Sequence, residues 1–308
     1  MSRATWIALS AAVVVLGIVG GGLAAFFGND EESTRSFPQT SAAQGRGFEL
    51  PLAGKPETLA LGAHDRNLLV GIVARRGGPL ELAALRGESP VPTDELRLEL
   101  NGRIVQAEPC GQGCSRVSAP VLAGRAAALT VRHGTEAVSF DLPGLLPPDG
   151  KDVFDKAGRT MSALETFRFT ERLSSGLGTT VNSTVDVQAP DRMRLRTRGF
   201  SSVIIGQNRW DRGRGTQWER SPFPGLDVKD LLMWHQAKNP RVIRLSANGD
   251  AELVAFGLKP VPAWFRLDVE PSGRVTEAEM TAASHFMLHR YKDFDEGETV
   301  EPPVAASG

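Results

Sequence analysis

Cys110 and Cys114 enclose only Gly-Gln-Gly, so the chain can fold back tightly between two thiols. In an oxidising compartment such a pair closes into a small disulfide loop, provided its Cα atoms come within about 7 Å. The functional alternative is a thiolate pair for copper(I), which soft ligands favour, with His133 and Met161 the nearest ligand types in sequence. His285 and His289 have the four-residue spacing that joins two metal ligands on a helix, but their surroundings read as a strand, where they would stand about 13 Å apart. Arg192, Arg194, Arg196 and Arg198 alternate with Met193, Leu195 and Thr197, putting a basic face opposite an apolar one. Alternation of this kind is what any half-buried strand shows; a functional reading has the arginines attract anionic headgroups while the other face lines a pocket. The nucleophile-elbow and zinc-protease motifs are missing, and residues 144–151 approach a P-loop only with stretched spacing. The pattern favours binding over catalysis, and no cofactor is implied.

Trp210, Trp218, Trp234 and Trp264 fall in the second half of the chain with Met193, Leu231, Leu232, Met233, Met280, Phe286 and Met287. Large, adaptable side chains of this type suit a pocket for acyl chains and suit a plain core equally well. Of these, Met193, Trp210, Trp218, Leu231, Leu232, Trp234, Trp264 and Phe286, with Leu195 from the alternating strand, form the candidate ligand-binding set. The candidate headgroup set is Arg192, Arg194, Arg196 and Arg198.

The elements that would position these residues start outside any soluble domain. Residues 4–27 carry no charge and are long enough to cross a hydrocarbon core of about 30 Å. Arg3 precedes them and Asp30, Glu31 and Glu32 follow, so the positive-inside bias places the rest of the chain outside the cytoplasm, on a single-pass anchor in the cell membrane. A cleaved signal peptide is the alternative, with Gly22-Leu23-Ala24 a passable site. Residues 28–46 have the composition of a flexible tether. Over 47–142 the apolar runs are short and turn-bounded, at 67–74, 95–100, 127–132 and 136–142, which predicts a small Ig-like β-sandwich. A hinge at 143–150 follows, then an amphipathic helix over 151–167 and a series of longer strands interrupted by a second, shorter helix at 226–237. The tail, 296–308, is expected to be disordered. The fold class is therefore β-rich α+β, with one large curved antiparallel sheet in the second domain, residues 151–295.

That second domain resembles the LolA-like and LppX-like lipoprotein carriers of the bacterial envelope. The resemblance rests on the opening helix followed by Phe169-Thr-Glu-Arg-Leu-Ser-Ser-Gly, on Ala189-Pro-Asp-Arg-Met-Arg-Leu-Arg-Thr, on Ile204-Ile-Gly-Gln-Asn-Arg-Trp-Asp, and on the hairpin from Trp264-Phe-Arg-Leu-Asp-Val-Glu. It implies a half-barrel with a helical lid enclosing an apolar cavity, and a lipid or acylated ligand as partner. Envelope-stress sensors share the fold, so a protein partner in the envelope is the other implication. The first domain more faintly resembles YtkA-type modules found beside copper-handling proteins. Carriers that shuttle between membranes lack an anchor, so a local receiver, donor or sensor fits this chain better.

A formal net charge of −1 for the whole chain gives no footprint for nucleic acid. Residues 151–295 carry 22 Lys+Arg against 18 Asp+Glu, a net of +4 that favours a membrane-facing surface.

Overall fold

The computed structural model describes residues 50–303 apart from 54, 175–179 and 258–261. The expected membrane segment and tether lie outside the described residues, and among these no helix is long and apolar enough to cross a membrane.

The first domain contains ten short strands: β1 (Thr58–Asp65), β2 (Leu68–Arg75), β3 (Leu80–Arg86), β4 (Ser89–Pro90), β5 (Arg97–Leu100), β6 (Arg103–Val105), β7 (Glu108–Gly111), β8 (Cys114–Val117), β9 (Ala127–His133) and β10 (Glu136–Leu142). They form two antiparallel sheets, ordered β1-β2-β3-β8-β7 with β4 beside β3, and β10-β9-β5-β6. The four expected strands correspond to β2, β5, β9 and β10. Of the others, β3 is buried from Leu80 to Leu85, while β6 and β7 are short and hold no buried residue.

β2 is buried from Leu68 to Ala74 without alternation, which requires cover on both faces. Leu68, Val70, Ile72 and Ala74 pack with Leu98, Leu129 and Val131 of the second sheet. Leu69 and Val73 turn the other way, with Ala83 and Leu85, onto Phe256, Trp264 and Phe286 of the second domain. The molecule is thus three sheets deep, and the middle sheet has no solvent face over most of its width.

The second domain opens with α1 (Lys151–Ser162), whose Phe154, Ala157 and Met161 are buried. Eleven strands follow: β11 (Thr166–Ser174), β12 (Thr180–Gln188), β13 (Arg192–Thr197), β14 (Phe200–Ile205), β15 (Asn208–Gly213), β16 (Glu219–Pro222), β17 (Lys238–Leu245), β18 (Ala251–Gly257), β19 (Ala263–Val269), β20 (Val275–Ala282) and β21 (His285–Lys292). They make one curved sheet in the order β16-β15-β14-β13-β12-β11-β21-β20-β19-β18-β17. The first and last strands meet at its centre, while β16 and β17, consecutive in the chain, are its two edges. The connection between them therefore crosses the sheet, and it does so on the concave side, where it joins α1 in one apolar core.

Three expectations need correction. The segment 226–237 is not a helix; it contains one 3-10 turn, Val228–Leu231, capped by the Asp227 side chain accepting from the Lys229 N–H at 2.9 Å. Leu231, Leu232, Met233 and Trp234 are all buried, and four consecutive buried side chains cannot share one face of an α-helix. The opening helix stops at Ser162, because Phe167 already pairs with Val187 as part of β11. The tail is ordered through residue 303: Val300 is fully buried, its N–H donates to Gln188 Oε1 at 2.9 Å, and its carbonyl accepts from Arg192 at 3.1 Å. The expected hinge is stitched to β17 at its end, with Gly150 N–H donating to Pro240 O at 2.9 Å and Val242 N–H to Pro148 O at 3.1 Å.

Candidate functional site

The parity of each strand sorts the candidate residues onto two faces. Met193 and Leu195 point to the concave side, where they join Phe169, Val185, Leu253, Phe265, Leu267 and Met287. Leu231, Leu232 and Trp234 cover that surface from above, and Trp234 meets Phe154 of α1 edge-on at 5.4 Å. These five of the nine expected ligand-binding residues come together. Trp264 and Phe286 do not. Each lies one position out of phase with the concave residues of its own strand, Phe265 and Met287, and so faces the first domain. Trp264 is buried against Gly62 and Gly71, a cross-strand glycine pair, and Phe286 stacks on His64 with 3.7 Å between ring centroids. Trp210 and Trp218 are half-buried toward the β16 edge, under Arg220 at 5.7 Å and Arg212 at 4.6 Å respectively.

The segment crossing the concave face is tied to itself rather than to the sheet. Its backbone bonds, Asp230 to Asp227, Leu232 to Lys229, His235 to Leu232 and Ala237 to Trp234, all close locally. The His235 ring also pairs with Leu232 O at 2.9 Å. Burial pushes the Asp230 carboxyl above its usual range, with the neighbouring Asp227 adding to the rise. The side chains that hold the segment down are apolar, and Trp234 Nε1 has no hydrogen-bonding partner of ordinary geometry among the described residues.

One polar group of residues interrupts the concave surface. Glu171 and His289 are cross-strand partners on β11 and β21, both buried, with Glu171 Oε2 2.9 Å from His289 Nε2. Ser183 Oγ donates to Glu171 Oε1 at 3.2 Å, Tyr291 Oη lies 3.2 Å from His289 Nδ1, and Phe169 stacks on the imidazole at 4.5 Å. With Nε2–H donating to the carboxylate, Nδ1 is left to accept the phenol proton. Burial pushes the Tyr291 phenol far above its usual range; the Trp234 indole offsets part of this and the Glu171 charge adds to it. Sequence reading missed the group, although its signal was present: Glu171 occupies a position that the Phe167, Phe169 and Leu173 alternation reserves for an apolar residue.

The expected basic face is on the convex side, and much of it is neutralised. Arg196 and Arg168 both pair with the buried Asp186, while Arg194 reaches Glu298 at 3.7 Å and Arg192 is held by Val300 O. Arg198 makes no ion pair among the described residues.

The similarity is to LprF and LppX. Among solved structures, LprF from Mycobacterium bovis aligns with 10% identity over 52% of this chain and 100% of its own, at a TM-score of 0.38. The lipoprotein LppX of Mycobacterium tuberculosis aligns with 14% identity over 49% and 97%, at 0.36. A LolA superfamily protein from Nitrosomonas europaea aligns with 14% identity over 47% and 92%, at 0.24. No protein-family model and no curated protein matches the chain. At these scores the likeness describes a shape and carries no ligand with it.

In the first domain Cys110 and Cys114 are joined in a disulfide with Cα atoms 5.1 Å apart. The Glu81 carboxylate lies within 4.8 Å of both sulfurs, a grouping that could hold a metal. Its oxygens are already engaged, accepting from Arg116 at 2.6 Å and from the Leu52 N–H at 2.8 Å, and the sulfurs are bonded to each other. The copper alternative would need both arrangements undone.

Proposed function

We propose that this chain is a membrane-tethered, extracytoplasmic binding protein whose second domain takes a lipid or acylated ligand against the concave face of its large sheet. The observation that carries the reading is the segment 226–237: an irregular stretch that covers an apolar half-barrel through side-chain burial, with its own hydrogen bonds closed locally. Lifting it breaks no ladder. Exposing Leu231, Leu232, Met233 and Trp234 would cost roughly 9 kcal/mol at about 1.5–3 kcal/mol each, and an acyl chain regains about 0.8 kcal/mol per methylene buried. A chain of roughly a dozen methylenes therefore offsets the displacement, so common membrane acyl chains are long enough and short amphiphiles are not.

The test uses the full-length protein in neutral detergent, with a fluorescent long-chain fatty acid as probe and native mass spectrometry for lipid carried from the membrane. Uptake should rise with chain length and fall off below about ten methylenes. Leu232→Glu places a carboxylate where Leu232 is now fully buried, and should abolish uptake in protein that remains folded. No co-purified lipid together with no uptake by wild type, or equal uptake by wild type and folded Leu232→Glu, would refute the assignment.

A further inference from the structure

The convex face of the large sheet carries a cleft of about 490 Å³ that the apolar reading leaves unused. Its floor is the cross-strand row Arg290–Thr170–Thr184–Arg196 and the neighbouring pair Arg172–Asn182, with Arg198 at one side. Four arginines, three on separate strands and Arg198 just past the end of β13, thus surround three neutral hydrogen-bonding side chains. The one carboxylate residue at its edge, Glu171, turns its side chain through the sheet to His289.

Two of the four arginines are committed. Arg196 Nη2 lies 2.6 Å from Asp186 and Arg290 Nε 2.9 Å from Glu277. Arg172 and Arg198 are exposed and make no ion pair with a described residue. Glu279 stands on the same row as Arg172 across Leu288 of the intervening strand and feels its charge, but the two form no ion pair. Guanidinium groups with unspent donors, next to threonine and asparagine side chains, match the geometry of phosphate oxygens and the hydroxyls esterified to them.

We propose that this cleft binds a phosphate-bearing anion, with Arg172 and Arg198 on the phosphate oxygens and Thr170, Asn182 and Thr184 on the esterified alcohol. The set differs from the one alternation along β13 picks out, because Arg192 and Arg194 are occupied by the C-terminal segment and Arg172 and Arg290 come from other strands. The cleft lies on the opposite side of the sheet from the concave surface, so it stands or falls separately from acyl-chain binding.

Full-length protein in neutral detergent micelles would be titrated with sn-glycerol 3-phosphate, with inorganic phosphate, and with phosphatidylglycerol doped into the micelle, reading the thermal midpoint and, for the soluble anions, calorimetric heat. A rise with glycerol phosphate identifies a soluble phosphate ester as sufficient; a rise with phosphatidylglycerol alone identifies a headgroup held at a lipid surface. Either supports the site. Combined Arg172→Gln and Arg198→Gln should weaken binding at least tenfold, while combined Arg192→Gln and Arg194→Gln should leave it within twofold. No response to any of the three probes, or equal losses in the two double variants, would overturn the proposal, the second outcome assigning the effect to diffuse charge.

Discussion

Gly71→Ala tests how the two domains are joined, and its sign is decided by two opposing effects. In a strand interior alanine is better than glycine by roughly 0.5–1 kcal/mol, because glycine loses more backbone freedom on folding. Against this, a Cβ at Gly71 would overlap Cζ2, Cε2 and Cη2 of Trp264 outright, and one at its partner Gly62 would stand 2.6 Å from Trp264 Cγ. Trp264 is 2% exposed and packed between the sheets with Phe256 at 5.3 Å, so the ring has nowhere to retreat. Overpacking a rigid site costs about 1–3 kcal/mol, with this overlap placing Gly71→Ala near the upper end, for a net loss of about 2 kcal/mol. Trp264→Ala alone should cost about 3–5 kcal/mol through the cavity it leaves. The double variant should then be less destabilised than the sum by at least about 1 kcal/mol, since the added methyl enters vacated space. Urea denaturation of the three variants in parallel supplies all the values. A stabilised Gly71→Ala, or strict additivity in the cycle, would show that the indole does not occupy the glycine notch and that the domains are not packed as described.

Three further outcomes are expected. Replacing Cys110 and Cys114 by Ser should lower first-domain stability by about 2 kcal/mol, the small value that a short loop predicts, with acyl uptake unchanged in the fluorescent-probe assay. His289→Leu leaves Glu171 buried without its partner and should destabilise by about 3–5 kcal/mol in urea, while the further change Glu171→Leu should recover much of the loss; failure to recover would mean that the pair is not the coupled unit described. Desolvation against Phe286, reinforced by Arg172, holds the His64 pKa below its ordinary 6.5 even though the outer side of the ring is open to solvent. The unfolded chain then binds the proton more readily, so this contribution to stability is present above about pH 6.5 and is lost as pH falls toward the depressed folded value. Thermal midpoints of wild type should fall more steeply over that window than those of His64→Gln.

Much of the second domain was legible because several of its strands alternate cleanly: Met193 and Leu195 were placed on the apolar face of β13, and the parity of that strand held throughout. Trp264 and Phe286 were misplaced for a reason that alternation cannot remove. Both faces of β19 and β21 are apolar in this region, since one lines the half-barrel and the other receives the first domain, so size and hydrophobicity do not say which side a residue joins. The uninterrupted apolar run of β2 held the missing information, because a two-sheet sandwich alone leaves one face of that strand in water. The helix expected at 226–237 failed because four adjacent buried side chains imitate the hydrophobic content of a helix without its period. The convex cleft was only half visible, since the register that brings Arg172 and Arg290 beside Arg196 is a property of pairing across strands.

Because β16 and β17 are the two margins of the eleven-stranded sheet, the chain between them works as a strap drawn from rim to rim. Sixteen residue steps separate Pro222 from Lys238, and pulled straight they reach about 55 Å. Eleven strands laid flat would span about 48 Å between outer margins. A flattened sheet would therefore demand almost the full length of the strap, unwinding its 3-10 turn and dragging Leu231, Leu232 and Trp234 off the surface beneath. The mouth of the half-barrel and the tautness of the strap are one degree of freedom: a guest must slide under a cord fastened at both ends, and each ångström by which the rims part is slack taken from the cover itself.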